Sequence, residues 1–407
     1  MSAPGAEPTA EREISLDVLR GFGVLGILMV NVQAFSMPFL AYLNPLAAPF
    51  PFEGSSEAVW TATHVFFDQK FVTIFSFLFG ASIFMVGGER SEKVRGSRLR
   101  RRLFWLAIFG LAHGLLLWFG DILLIYAVSG FIVMLMRSWR PRRLVVVGLT
   151  LFFLGAFWNT ALMAPLASAP PEVIAEVKQQ SWLPTEEALA AEIEAYQSGL
   201  FSALAINAQS WSVLQIFVAA ITLYWRTVGI MLIGLALFKT GILLGRRSAR
   251  FYAALIGCGA IAAAVIFWET IRIMADGFPF PATPGWRHNI NYFLSPVVSL
   301  GYIGALLLLL RASWFAGVAG ALAAVGRMAF TNYIAQSVIM TTIFWGGRGF
   351  GLFGEIDRPG QLALVLAVWA LQLVWSPLWL KHYRMGPLEW VWRVLTYKSV
   401  PPFRRAV

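Results

Sequence analysis

The sequence contains one cysteine in 407 residues, Cys258, and it stands inside an apolar run. That excludes a disulfide framework and a cysteine-based metal site. Histidine is almost as scarce: His64, His113, His288 and His382 are scattered, none with a second histidine at i+3 or i+4. No metal-ligand pattern is present. The chain also lacks a G-x-x-x-x-G-K phosphate cradle and a G-x-S-x-G elbow, which speaks against an ATP-driven pump and leaves no serine-elbow signature. Charge is sparse too, at 13% of residues.

What fills the chain instead is apolar. Hydrophobic residues make up 58% of it and the mean hydropathy is +0.69, far outside the composition of a soluble domain. The expected class is all-α, a polytopic bundle of membrane helices in a single transmembrane domain. The net charge of +11 does not point to nucleic acid, because the basic residues fall in short loops between apolar runs and so report topology.

Runs of spanning length, roughly 17 to 25 residues, fall at about 16–35, 62–87, 103–119, 121–137, 144–163, 211–238, 251–274, 294–310, 315–345 and 361–380. That predicts about ten helices. The first carries no A-x-A-like cleavage site and is expected to be retained. The stretch 103–137 is too long for one span, and Gly120 with Asp121 predicts a tight hairpin. With a cytoplasmic N-terminus, the clusters Arg90 to Arg102, Arg137 to Arg143, Arg246 to Arg250, and Lys381 with Arg384, Arg404 and Arg405 all fall inside. Both termini are then cytoplasmic, in a bacterial inner membrane. The segment 164–210 lies outside, rich in glutamate, and Thr185 predicts the N-cap of a short helix there. Near the end, 386–398 mixes Trp390, Trp392 and Tyr397 with charges and predicts an interfacial helix.

A charge at the bilayer centre costs at least roughly 2.5 to 3.5 kcal/mol, so each intramembrane ionisable residue is a functional candidate. In "SLDVLRGFGVLGILMVN", Arg20 and Asn31 share a face about 16 Å apart, with Asp17 one turn below Arg20. In "HGLLLWFGDILLIY", residues 113–126, His113 and Asp121 flank the predicted turn. An imidazole can take and return a proton, and a nearby carboxylate would set its tautomer. Lys70, Arg226, Glu269 with Arg272, and Arg327 with Asn332, Tyr333 and Gln336 in "GRMAFTNYIAQS" complete the set. Arg327 is expected about 18 Å deep along a continuous helix. The deep arginines either pair with Asp121, Asp68 or Glu269, or bind an anionic ligand. Asn31 is expected to position a neighbour by hydrogen bonding, and His64 to be a surface or loop histidine.

The runs 15–31, "YLNP" (42–45), "KFVTIFSFLFGASI" (70–83), 113–126, 326–337 and "GPLEWVWRVLTY" (386–397) resemble, in that order, the YeiB-like bacterial membrane proteins that carry domain of unknown function 418. The resemblance covers nearly the whole chain and implies a polytopic helical bundle of undefined activity. The start, with an arginine upstream of L-D-x-x-R-G, is more distantly similar to the acyltransferase-3 superfamily and to heparan-alpha-glucosaminide N-acetyltransferase. In the former an arginine and a histidine with ten residues between them form the key motif; here Arg20 and Asn31 keep the spacing, and asparagine cannot be the base. That likeness leaves His113 as the bearer of the role, with Asp121 beside it, and implies acyl-CoA as a co-substrate and no tightly bound cofactor. Arg20 and Arg327 would hold its anionic groups.

Three functions therefore stand open. One is an acyltransferase taking an acyl group from a cytoplasmic donor to a hydroxyl or amine. Another is a proton-coupled permease of an anionic small molecule or lipid. The third is a structural or sensory partner without a ligand. The lipid bilayer is the expected partner, nucleic acid is not, and an oligomer is compatible with the sequence.

Overall fold

Lipid offers no partner to an open backbone N–H or C=O, so a sequence this apolar must satisfy its backbone inside helices. The structure, a computed structural model, describes residues 14–405. Arg12, upstream of the L-D-x-x-R-G run, and the two chain ends lie outside the described residues. Every described element is helical apart from one isolated bridge between Tyr383 and Arg404.

The chain runs α1 (Ile14–Ser36), the short α2 (Phe39–Leu43), α3 (Gly54–Phe66), α4 (Lys70–Gly87), α5 (Lys93–Leu116), α6 (Leu123–Met136) and α7 (Pro141–Met163). Next come α8 (Pro171–Ser181), α9 (Glu186–Gln197) and α10 (Leu200–Ser212). A π-helical stretch, Val213–Leu223, leads into α11 (Tyr224–Lys239), followed by α12 (Ala249–Ala275) and α13 (His288–Leu309). The last four are α14 (Ala316–Arg327), α15 (Ala329–Phe344), α16 (Arg358–His382) and α17 (Pro387–Tyr397).

Each of the ten expected segments corresponds to one or two of these helices, but fewer of them can cross a bilayer unaided. Among the described residues seven helical stretches are long and apolar enough, or eight if the bent pair α14 and α15 is one span. The remaining two are α5 and α6. The first half of α5 is the basic run from Lys93 to Arg102, and α6, with 14 residues, is about 21 Å long against a core of about 30 Å. Their hairpin turns as expected, between Leu116 and Leu123. Helix α6 is too short to carry that turn across the whole core.

Of the seven spanning stretches the most enclosed is α1, with 83% of its most apolar window buried, whereas α12 and α16 have 22% each. Between lipid-exposed helices there is little hydrophobic driving force, so close packing relies on small residues. At Gly21 a Cβ would run into the backbone of Leu322 and Gly326, and one at Gly326 into the carbonyl of Asp17. Backbone therefore meets backbone where α1 crosses α14.

One span is interrupted and another is bent. Between α3 and α4 the chain turns through Gln69, which has a left-handed φ of 64°. Between α14 and α15 the axis bends by 78°. Helix α14 starts just after Arg311, which donates to the carbonyls of Gly245 and Arg247, and ends where Arg327 donates to the carbonyl of Arg384. Both ends of α14 thus touch the basic loops, while its middle packs on α1, and α15 continues into the bundle from the bend. Arg327 accordingly sits at the basic end, and not about 18 Å along a continuous helix.

At the opposite end, Thr185 caps α9 by accepting from the amide of Ala188. Tyr196 stacks on Phe353 with centroids 4.2 Å apart, and its carbonyl accepts from the amide of Gly346 at 2.8 Å. Glu192 accepts from the amide of Phe39 at 3.0 Å. The α9 part of the glutamate-rich segment is therefore packed onto the far-end loops, whereas α8 buries none of its residues.

Candidate functional site

His113 and Asp121 meet. The imidazole Nδ1 is 2.9 Å from Oδ1 of Asp121, and the Nε2 is 2.8 Å from the Oγ of Ser337 on α15. The exposures are 2% for His113, 1% for Asp121 and 1% for Ser337. The local fold explains why the carboxylate is held still: Oδ1 also accepts from the amide of Leu123 at 3.1 Å and Oδ2 from that of Leu124 at 2.8 Å. These are otherwise orphan donors of the first turn of α6. From the π-helical stretch, Gln215 donates to the Asp121 carbonyl at 3.2 Å.

Both Asp121 oxygens accept from backbone amides; with Asp121 also accepting from Nδ1–H, the Nε2 lone pair faces the Ser337 hydroxyl. The Tyr333 ring packs 5.2 Å from the imidazole, while Asn207 on α10 donates to the carbonyls of Gly114 and Leu115 at 2.8 and 3.2 Å. A carboxylate, an imidazole and a hydroxyl are thereby aligned in one buried chain. Such an arrangement can remove a proton from a hydroxyl and return it. Ser337 closes the run 326–337, yet a serine in an apolar helix usually bonds its own helix, and no periodicity marks it as a partner of His113.

A second polar cluster occupies the break between α3 and α4. Lys70, fully buried, donates to the carbonyl of His64 at 2.8 Å and to Oδ1 of Asn291 at 2.6 Å. Asn291 in turn donates to Asp68 at 2.8 Å. Arg226 donates to Thr73 Oγ1 at 2.8 Å, to Ser295 Oγ at 3.1 Å and to the Gln69 carbonyl at 3.4 Å. His288 lies 3.3 Å from the Gln69 amide nitrogen. His64 is half-buried and stacked on Trp60, its Nδ1 3.5 Å from Asp68, so it is no simple surface histidine.

The pairing expected for Arg226 is not what forms. Asp121 serves His113, Asp68 is 3.5 Å from His64, and Glu269 bridges Arg287 at 2.5 Å with Arg272 more distant at 3.9 Å. Among the described residues no carboxylate bridges Arg226, which is held by hydroxyls and a carbonyl and faces Tyr292 at 5.3 Å.

At the basic end, Arg20 and Asp17 form an ion pair at 2.9 Å. Arg20 and Arg327 each stand one residue from the Gly21 and Gly326 contact. Arg102 lies 3.7 Å over Trp392, whose indole donates to the Arg102 carbonyl. Glu389 on α17 accepts from the amides of Phe330 and Thr331 at 2.7 and 3.1 Å and from the Thr331 hydroxyl at 2.6 Å. Burial pushes the Glu389 carboxyl above its usual range, with the hydrogen bonds it accepts pulling against that shift.

Two polar residues of the ninth expected helix are structural in their contacts. Asn332 donates to the Val325 carbonyl and Ser376 Oγ and accepts from Trp375. Gln336 donates to the Val24 carbonyl and to Gln372, which bonds back to the Asn332 carbonyl. These bonds staple α1, α15 and α16 together. Asn31 is half-buried, and among the described residues its side chain makes none of the hydrogen bonds expected of a positioning group.

The family described as "Protein of unknown function (DUF418)" matches residues 237–399. The chain is 34% identical to the uncharacterized protein YeiB of Escherichia coli (strain K12), with 96% of this chain and 98% of that protein covered. It is 32% identical to the uncharacterized protein YxaH of Bacillus subtilis (strain 168), covering 98% and 97%. An uncharacterized 39.9 kDa protein of the amylase 3' region in Bacillus acidopullulyticus is 26% identical over 96% of each. No solved structure matches it. With near-complete coverage of both YeiB and YxaH and a multi-pass helical architecture, the chain belongs to the DUF418 family of YeiB-like membrane proteins.

Proposed function

We propose that this protein is a membrane-embedded acyl-transfer enzyme of the bacterial plasma membrane, its basic end facing the cytoplasm. One observation carries the reading: a buried imidazole, held on one side by Asp121 at 2.9 Å, lies 2.8 Å from a hydroxyl on the other. That is the work of a general base on an oxygen nucleophile, and water is excluded from the pair by burial.

The donor in this reading is an acyl-CoA, bound transiently and not as a resident cofactor. Its phosphates would be drawn to Arg20 and Arg327 at the basic end, with Asp17 fixing Arg20. The acceptor is a hydroxyl or amine reaching His113 from the far side. Protein in lipid nanodiscs is expected to release thiol from acetyl-CoA when a hydroxyl or amine acceptor is present. His113→Gln should slow this by about 100-fold or more. Absence of thiol release from short and long acyl donors alike would overturn the reading.

The helix break at Gln69, with Lys70 and Arg226 gathered beside it, favours one alternative. Broken helices lined by charge are a transporter device, and the protein would then be a proton-coupled permease of an anionic small molecule or lipid. Proton-dependent uptake in vesicles, abolished by Asp121→Asn, would select it.

A further inference from the structure

The hydroxyl that His113 addresses belongs to the protein itself. Three observations separate Ser337 from an ordinary helical serine. Its Oγ is 2.8 Å from Nε2 of His113. It is 3.5 Å from the carbonyl of Tyr333 one turn back, whereas Thr341 and Thr342 on the same helix donate to the corresponding carbonyls of Ser337 and Val338 at 2.8 and 2.7 Å. With Nε2 as acceptor, the shorter contact directs the Ser337 proton at the imidazole, and the Tyr333 carbonyl is the longer, weaker alternative. Finally, the neutral imidazole has a single lone pair, and Ser337 already occupies it. An acceptor that used His113 directly would have to displace Ser337 first.

We infer that Ser337 is the nucleophile, with His113 as its base and Asp121 as the group that positions the base, so that acyl transfer passes through an acyl-Ser337 ester. This rests on the acyl-transfer reading. In the first step Ser337 Oγ gives its proton to Nε2 and bonds the acyl carbon. The carbon–sulfur bond of the thioester breaks, and the departing thiolate takes the proton from the imidazolium. In the second step the acceptor hydroxyl or amine gives a proton to Nε2 and its oxygen or nitrogen bonds the acyl carbon. The Ser337 ester bond breaks and Oγ recovers the proton. The serine and imidazole end as they began.

The test uses the full chain in lipid nanodiscs, treated in parallel with a fluorophosphonate probe and with acetyl-CoA in the absence of acceptor, then digested and mapped by mass. Adducts at Ser337 in both arms are expected, with fluorophosphonate labelling lowered about 100-fold in His113→Gln. No fluorophosphonate adduct at Ser337 in the folded wild type overturns the inference without any variant. Thiol release that persists within about threefold in Ser337→Ala also overturns it, while leaving acyl transfer itself intact. A fluorophosphonate adduct at Ser337 without thiol release from acetyl-CoA keeps the serine nucleophile and removes the acyl-CoA donor, so the two failures are distinguishable.

Discussion

The Thr331 hydroxyl donates to Oε2 of Glu389 at 2.6 Å, across 58 residues of sequence. With the amides of Phe330 and Thr331 on Oε1, this carboxylate closes the open N-terminus of α15 at its break with α14. The helix that carries Ser337 is therefore held in place by a residue from α17, the last helix of the chain's described residues. A buried break leaves orphan amides that need an acceptor, and Glu389 supplies it.

Glu389→Ala should lower stability by about 2 to 4 kcal/mol, since two amides and a hydroxyl lose their partner at roughly 1 to 3 kcal/mol each before relaxation. Glu389→Gln keeps one oxygen acceptor and should cost less. Denaturant titration of the two variants in one detergent would measure the order. Equal losses would show that the cap is not what holds the break.

The same residue gives a pH dependence. Its carboxyl is raised in the folded state, so the fold favours the protonated form. That contribution is fully present below the ordinary value of 4.5 and is lost as pH climbs through the raised folded value. The stability of wild type relative to Glu389→Gln is expected to fall over that climb. A difference that grows with pH would contradict it.

Gly110 sets the spacing of the hairpin. A Cβ there would strike the amide nitrogen of Leu124 and come within 2.9 Å of Asp121 Oδ2. Gly110→Ala should push α5 and α6 apart, with an overpacking penalty of about 1 to 3 kcal/mol. It should also cost at least tenfold in thiol release, because it moves the carboxylate off His113. Full activity in this variant would mean that the carboxylate does not need its present alignment.

Asp121→Asn separates the electrostatic role from the capping role. Asparagine keeps one oxygen and can still accept from one of the two α6 amides, but its carboxamide no longer fixes the Nδ1–H tautomer. Activity should fall by about 10⁴-fold, by analogy with the same exchange in a serine protease, with a stability loss of about 1 to 3 kcal/mol, that of one lost cap bond. Loss of folding instead of activity would assign Asp121 a purely structural role.

Arg20→Ala and Arg327→Ala should each raise the KM for acetyl-CoA by about tenfold, equivalent to 1.4 kcal/mol. A thioester donor without phosphates should be unaffected. A comparable loss with both donors would remove phosphate binding from the basic end.

Much of the architecture could be read before any coordinate. Lipid solubility is a property of composition, so the apolar runs, the basic loops and the turn at Gly120 and Asp121 follow from the linear order of residues. The pairing of His113 with Asp121 was accessible for the same reason, because only eight residues and one tight turn separate them. Span count was less so: the basic first half of α5 and the shortness of α6 leave the hairpin without the length to cross alone.

The partners of distant polar groups were decided by the tertiary structure alone. Ser337 lies 224 residues from His113, and Lys70 lies 221 from Asn291. Whether a polar side chain in an apolar helix meets a base, a carbonyl or another helix depends on the rotation of that helix and on which neighbour packs against it. Periodicity sets neither when most faces of the helix are apolar. Close backbone approach at Gly21 and Gly326, the bend at Met328 and the cap from Glu389 set both, and they are made by residues far apart in the chain.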